Sequence, residues 1–472
     1  MKKQSTAKAG SLYLFASIFN RGIGFLTIPV FTRLLSTSDY GIVTTYSAWA
    51  AILTAIIGMQ LNCGIRLSRG TDCRIKIEKH KELSTVFTFT LLIAAFMFTL
   101  IAICCLLFPV NTNFALIAIC FLEGLFTALI TDYTYYQMME YKYIGRVFLM
   151  VLPNLLAAVL SVGFIYIMTA EKYMGRIISL FGMHAIIGLV VCFLVFSHAK
   201  PQIDRTYIKW TLKVSLPLIL HGVALNILAQ ADRTMISVLR DTSETGIYSL
   251  IYSFSMIATV ITTGLEGIWI PWFTQKMNES RYGEVNCVSK DYIHLMTYAM
   301  TGLILISPEI LKLLAPSAYW EGIVLIPPLV ISNFVIFAYT MYVNVEYYYE
   351  KTLFITENTI IAAGLNIVLN GLFIPKFGYM AAAYTTLFCY IVSFVLHTKY
   401  ARKLNHEVLP LCQYVTPIIH VTASTVLFYI FIETVVFRWL LTVIYVAAMI
   451  LAERKRMGAL LPALSTKFRF FR

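Results

Sequence analysis

The chain has 472 residues, of which 59% are hydrophobic and only 13% charged, and its mean hydropathy is +0.76. A soluble protein carries about 25% charged residues, so the composition predicts an integral membrane protein. The formal net charge of +13 sits in short connectors between apolar runs, as the positive-inside rule requires, and this sets a nucleic-acid partner aside.

A helix needs about 20 apolar residues to cross the hydrocarbon core. The predicted spans are 10–34, 40–65, 83–108, 113–138, 147–169, 176–197, 211–238, 246–274, 291–314, 322–348, 353–375, 378–398, 413–433 and 436–452. The N-terminal MKKQSTAKAG resembles a charged signal n-region. The apolar run after it is too long for a signal peptide and lacks a small-residue cleavage site, so it is expected to stay as a span. That first span carries Arg21 near its middle, with Asn20 before it and Ser17 and Gly24 on the same helical face. The fourth span carries a polar stripe, Glu123, Thr127, Thr131 and Thr134. In the seventh, Asn226, Gln230, Arg233 and Ser237 follow steps of a helical face, while Asp232 lies about 100° round the helix toward a different neighbour. Glu266 sits between Gly264 and Gly267 in the eighth span, and Pro271 is expected to kink it. Ser307-Pro308-Glu309 reads as the N-terminus of a short outer helix. The last two spans are short and separated only by Glu433-Thr434-Val435; the count is fourteen, or twelve if this pair does not cross.

With the N-terminus cytoplasmic, 28 of the 37 lysines and arginines fall on the cytoplasmic side. Arg33, Lys172, Arg176, Arg240, Lys312, Lys376 and Arg438 fall outside, and Arg21 and Arg233 lie within spans. This bias places both termini in the cytoplasm. No connector exceeds about 20 residues, so no soluble domain is expected, and no phosphate-binding loop of the GxxxxGK[ST] kind occurs. The nine cysteines are scattered through apolar runs without metal-binding spacing, so neither a metal nor a cofactor is expected.

A repeat emerges from three echoes. Ser38-Asp39-Tyr40-Gly41-Ile42 recurs as Ser243-Glu244-Thr245-Gly246-Ile247, Gly58-Met59-Gln60 as Gly264-Leu265-Glu266, and Tyr173-Met174 as Tyr379-Met380. They predict an all-α polytopic membrane protein of two six-helix lobes, residues 1–200 and 201–404, related by an axis along the membrane normal, followed by a C-terminal helix pair and basic tail at 405–472. Ser38 and Ser243 read as N-caps, with Asp39 and Glu244 favouring the positive helix ends. A charge within the bilayer is costly and faces the bundle interior, where it serves function or pairs structurally, Arg21 with Glu123 for example. His184 and His221 read as satisfied interior groups, and the tyrosine runs at 133–136 and 347–349 as interfacial belts.

Three stretches, IPVFTRLLSTSDYGIV at 28–43, QADRTMISVLRDTSETGIYSLIYS at 230–253 and NIVLNGLFIPKFGYMAAAYTTL at 366–387, resemble the Wzx-type polysaccharide flippases of the multidrug/oligosaccharidyl-lipid/polysaccharide exporter superfamily. The resemblance runs over about residues 8–400 and says nothing of the cargo's glycan. It implies a two-lobed bundle in the bacterial inner membrane. That bundle would move an undecaprenyl-diphosphate-linked oligosaccharide to the outer leaflet, for O-antigen or capsule synthesis, by alternating access. Such a protein would act beside membrane lipid and polymerase and chain-length partners and would not be an enzyme. Under this reading Arg21 and Arg233 hold the diphosphate through paired, charge-assisted hydrogen bonds. Asn20, Asn226 and Gln230 contact the cargo, and Glu123, Asp232 or Glu266 binds a coupling proton or sodium ion. The alternatives are a cation-coupled multidrug antiporter of the same superfamily and a lipid II flippase. A membrane glycosyltransferase would need a larger outer loop than the sequence provides.

Overall fold

The computed structural model describes residues 22–68, 78–107, 113–140 and 142–448, with the single positions Phe19 and Leu451. Among the described residues the chain is helical throughout, with no strand. The first part comprises α1 (Ile28–Leu34), α2 (Thr37–Gly58), α3 (Asn62–Leu67), α4 (Lys79–Leu107), α5 (Phe114–Met139), α6 (Tyr143–Ile167) and α7 (Lys172–His198). There follow α8 (Arg205–Leu239), α9 (Thr242–Ser255), α10 (Ala258–Asn278), α11 (Tyr282–Leu314), α12 (Ile326–Tyr348), α13 (Thr352–Phe377) and α14 (Tyr379–Leu404). The chain closes with α15 (Val415–Ile430) and α16 (Val435–Ala448).

Ten helices among the described residues are long and apolar enough to cross a membrane. The other four predicted spans fall on the shorter apolar helices Gly22–Leu34 and Val435–Ala448, on α8, and on the α9–α10 pair. The outward faces are apolar: Leu106 is 84% exposed, Val436 79% and Phe193 73%. Such a surface is stable only in lipid, and helices, which satisfy their backbone internally, are the form it takes there. The protein is a multi-pass membrane protein.

The two halves repeat in structure. α6 packs on α7 as α13 packs on α14, and α5 packs on α7 as α12 packs on α14. The helix ends lie on two faces. One, called here the basic face, gathers the end of α5 and the start of α4 through Lys79–Glu140 (2.6 Å), and the ends of α10 and α12 through Tyr348–Asn278 (3.0 Å). The opposite face joins α1 to α11, where Arg33 donates to the Leu313 carbonyl at 2.8 Å.

Three local expectations are corrected. The helix caps on the opposite face are Ser36 and Asp241, two residues ahead of the predicted Ser38 and Ser243. Ser36 and Asp39 form a reciprocal capping box, and Asp241 accepts from the Glu244 amide at 2.7 Å. The eighth predicted span is not continuous: it breaks at Met256-Ile257, well ahead of Pro271, which lies inside α10. The carbonyl of Ser255 freed by the break takes a hydrogen bond from Asn333 of α12 at 3.4 Å, and the Ser255 hydroxyl takes another at 3.2 Å. Finally, Ser307-Pro308-Glu309 starts no helix. It lies inside α11, where the Ser307 hydroxyl donates to the Ile304 carbonyl.

The C-terminal pair is fastened to the second half. Arg438, counted from the sequence with the outer-side cations, is 1% exposed; it pairs with Glu309 of α11 and donates to the carbonyls of Phe431 and Ile432 at 3.0 and 2.8 Å. Tyr429 reaches the Val324 carbonyl at 2.9 Å.

Candidate functional site

The repeated Ser-acid-x-Gly-Ile segments meet each other. At the opposite face α2 lies against α9, with the hydroxyls of Thr37 and Ser243 2.6 Å apart and those of Ser38 and Thr242 also 2.6 Å apart. The contact is reciprocal. An ideal Cβ on Gly41 would lie 1.7 Å from the Thr242 carbonyl oxygen, and one on Gly246 would lie 2.0 Å from the Thr37 carbonyl oxygen. No side chain larger than hydrogen fits at either place, which is why glycine recurs at this step of the repeat; small residues let two helix backbones approach this closely. The acids of the motif have separate duties. Glu244 accepts from Arg240 at 2.9 Å and from the amide of Tyr379, at the start of α14, at 3.0 Å.

Nearer the basic face, α2 leans on α8 instead. Met59 and Gln60 both adopt left-handed backbone (φ 45° and 50°), ending α2 in a tight turn. The Ser215 hydroxyl donates to the Gln60 carbonyl at 3.2 Å, and an ideal Cβ on Gly64 would lie 3.1 Å from the Thr211 Cβ.

Between these two contacts stand the charges. Asp232 is buried, and its carboxylate accepts from Tyr248 of α9 at 2.5 Å, from Asn370 of α13 at 2.7 Å and from Thr386 of α14 at 2.7 Å. Asn370 donates to Asn366 at 3.1 Å and accepts from Thr385. Seven oxygens therefore converge: two of Asp232, those of the two asparagine amides, and the hydroxyls of Tyr248, Thr385 and Thr386. One full negative charge with neutral oxygens around it suits a monovalent cation or a proton. Among the described residues no group of three His, Cys, Asp or Glu side chains could hold a metal ion in the ordinary way.

Arg233, next in the chain, turns away from this cluster, as the helical step predicts. Its guanidinium lies 4.6 Å from the Tyr252 ring centroid of α9 and donates to Gln230. Asn226, Gln230, Arg233 and Ser237 are all half-buried, so the predicted stripe is a real face of α8, although the Asn226 amide is spent on the Gly222 carbonyl at 2.9 Å. Tyr40 of α2 lies within electrostatic reach of both Arg233 and Arg176 of α7. Arg176, counted from the sequence with the outer-side cations, lies within α7; it stacks on Phe31 at 4.4 Å and donates to Ser161 at 2.9 Å. Cations from both halves thus approach one tyrosine.

Glu123 is buried, accepting from Tyr46 at 2.5 Å, with His184 3.6 Å away. The hydroxyls of Thr131 and Thr134 bond their own helix, to the carbonyls of Thr127 and Ile130 at 2.7 Å. Asn20 and Arg21 lie outside the described residues, and Glu266 lies on α10 with its side chain outside them. The oxygen cluster around Asp232 was visible in sequence only as Asp232. Asn366 and Asn370 are one helical turn apart inside an apolar span, and that spacing is the signal that could have found them. Two apolar cavities, of about 540 Å³ against α13 and α14 and about 320 Å³ among α5, α6 and α7, lie away from the arginines. The first shares Thr385 with the cluster.

The profile of the family described as polysaccharide biosynthesis protein matches residues 6–277. A search of curated proteins found no match. Among solved structures, the lipid II flippase MurJ in an inward closed conformation is similar at 14% identity and a TM-score of 0.63, covering 94% of this chain and 99% of that one. The MATE multidrug transporter DinF-BH, solved as a ligand complex, is similar at 15% identity and a TM-score of 0.57, covering 86% and 96%. An inward-facing multidrug resistance MATE family transporter of the MOP superfamily is similar at 13% identity and a TM-score of 0.54, covering 82% and 96%. These likenesses give the fold. The family match covers more than half of the chain and takes in two of the three resembling stretches, 28–43 and 230–253, and the chain belongs to the polysaccharide biosynthesis protein family.

Proposed function

We propose that this protein carries an undecaprenyl-diphosphate-linked oligosaccharide repeat unit from the cytoplasmic to the outer leaflet of the bacterial inner membrane, by alternating access, for O-antigen or capsule synthesis. The lobes are residues 1–200 and 201–404, both termini are cytoplasmic, and the basic face is the cytoplasmic one. The observation that carries the reading is the arrangement of α2. It closes on α9 at one face and on α8 at the other, and Arg233 and Arg176 both act electrostatically on its Tyr40, beside the contact with α9. Arginine keeps its charge and offers a planar fork of donors, which suits a diphosphate. Arg21 and Arg233 hold the diphosphate, Asn20, Asn226 and Gln230 meet the glycan, and the Asp232 cluster takes the coupling cation. Glu123, in contact with Tyr46 and close to His184, and Glu266 are the other candidates for that ion.

Deleting the gene should make the lipid-linked cargo accumulate on the cytoplasmic side, and its extraction names the glycan. Complementation with Arg21→Ala or Arg233→Ala should fail while the protein remains in the membrane. Normal export by both variants would sink the diphosphate assignment. A second reading, cation-coupled multidrug antiport, is favoured by the Asp232 cluster and by the MATE likeness. It predicts that deletion changes drug sensitivity and leaves lipid-linked intermediates at their usual level. Accumulation of lipid II alone would instead support a lipid II flippase.

A further inference from the structure

Asp132 of α5 is a carboxyl group that none of the above uses. It lies inside the span and is 1% exposed. Its surroundings are apolar. Leu129 and Tyr136, one turn to either side of it, are buried in a cluster with Ile57 of α2, Leu61 of the following turn, Ile65 of α3, and Val86 and Phe87 of α4. One helical turn earlier, the Cβ of Ala128 lies 3.4 Å from an ideal Cβ on Gly58. Asp132 therefore faces the tight turn 59–62, and Asn62 meets its carboxyl through both backbone and side chain. Its Oδ2 is buried and has no hydrogen-bond partner among the described residues.

That turn is one side of the joint at the basic face. The Gln60 carbonyl takes the Ser215 hydroxyl of α8 at 3.2 Å. Thr211 of α8, whose hydroxyl is likewise buried without a partner among the described residues, lies against Gly64. An ionised carboxyl behind this joint leaves an oxygen without a donor in an apolar interior, which is costly. A proton on Oδ2 removes the charge. Opening the joint admits water to the charge instead. Closure is therefore linked to uptake of one proton: acid favours the closed joint, and rising pH favours the open one. The neighbouring titratable groups are otherwise engaged. Arg66 of α3 lies over the Tyr135 ring at 5.8 Å, Cys63 donates to the Asn62 side chain at 3.8 Å, and Glu140 of α5 pairs with Lys79 of α4 at 2.6 Å. Tyr46 of α2 is taken by Glu123, His198 of α7 stacks on His80, and Cys192 of α7 packs in the apolar cluster. Glu82 of α4 and Arg146 of α6 have partners of their own.

We propose that Asp132 is a proton-binding site behind the joint of α2 and α8: protonated, it lets the joint close, and ionised, it draws in water and holds the joint open. The site lies in the first half and is separate from the Asp232 cluster. A metal cation would need more oxygens than Asp132 and Asn62 offer. If the joint is a gate of the transport path, its opening releases a proton toward the basic face. That consequence rests on the flippase reading; the proton site itself does not.

The test needs no cargo. Ser68→Cys, just past α3, and Lys209→Cys, on α8, are introduced into a background without native cysteines and carry spin labels. The distance between the labels is measured in the full-length protein in detergent, from acid to alkaline pH. A short distance should dominate in acid and a longer one should grow as pH rises, the ratio falling by up to about tenfold per pH unit, the limit for one proton. Asp132→Asn, neutral at every pH, should keep the short distance throughout. The infrared band of a protonated carboxyl group should fade over the same pH range in the wild type, and that band should be missing from Asp132→Asn. A thermal melt reports whether each variant is folded, and Asp132→Leu, also neutral, serves if Asp132→Asn is not. A wild-type distance that ignores pH, a shift of equal size in the neutral variants, or a band unchanged by the substitution would each overturn the proposal. None of these outcomes bears on whether lipid-linked cargo accumulates when the gene is deleted, so the two readings fail separately.

Discussion

Asp232 spends both carboxylate oxygens on donors from three other helices, Tyr248, Asn370 and Thr386. Each hydrogen bond to a charged group is worth about 1.5–3 kcal/mol in soluble proteins and nearer ~0.6 kcal/mol inside membranes. Losing one donor is therefore a modest cost; losing the charge changes what the site can hold. Tyr248→Phe should keep a folded protein and lower the melting temperature slightly. Asp232→Asn keeps the shape but places an amide group against that of Asn370. If the cluster binds the coupling cation, sodium or acid should raise the melting temperature of the wild type, since a ligand of the folded state stabilises it by mass action, and should leave Asp232→Asn unmoved. An equal rise in both would place the cation elsewhere. Arg233 illustrates what sequence could do at this scale. Its separation from Asp232 by one helical step was readable, and so was the half-buried face it shares with Gln230. Its aromatic partner Tyr252 and the approach of Arg176 were not, because they arrive from α9 and α7.

Hydropathy located most helices to within a few residues because apolar length is a local property. Where a helix stops is not local, and the predicted span 246–274 shows why. Nothing between Ser255 and Ala258 is a helix breaker; the break is sustained by Asn333, far along the chain on α12, which donates to the freed Ser255 carbonyl. Replacing Asn333 with Leu should leave that carbonyl without its protein donor in an apolar interior, at a cost of about 1–3 kcal/mol. The expected result is a lower thermal midpoint with the helix content by circular dichroism retained; an unchanged midpoint would mean that the break needs no partner. The Ser-acid-x-Gly-Ile turns were likewise readable as a repeat, while their contact was not. The sequence suggests caps, and the real caps, Ser36 and Asp241, free Ser38 and Ser243 to face each other's half. A glycine's role is visible only against what it touches. Gly41→Ala or Gly246→Ala would put a methyl group into an opposing carbonyl, so α2 and α9 must separate. Either variant should remain in the membrane yet lose export, and full activity in both would dissociate this contact from transport.

At the scale of the molecule, the joint of α2 and α9 and the joint of α2 and α8 sit at opposite faces of one bundle, and both are closed. A carrier that opened both at once would be a pore, so alternating access requires that each open in turn while the other holds. Paired cysteines make this testable without knowing the cargo's glycan. Thr37→Cys with Ser243→Cys places two sulfurs where the hydroxyls now lie 2.6 Å apart. Gly64→Cys with Thr211→Cys, on α3 just past the end of α2 and on α8, uses an approach of 3.1 Å between an ideal Cβ and the Thr211 Cβ. Disulfides need Cβ atoms about 3.5–4.5 Å apart, so the second pair can form after slight adjustment, and the first places its sulfurs where the two hydroxyls already touch. Eight native cysteines among the described residues are free and would first be replaced in the background used. Oxidising either pair should stop export, and reduction should restore it. The two arrests should differ in accessibility: with the first pair locked, a thiol reagent should reach single cysteines at Asn226 or Gln230 only from the basic face, and with the second pair locked only from the other. If either lock leaves export running, or if both leave the same residues accessible from the same side, the two contacts are not gates of one alternating path.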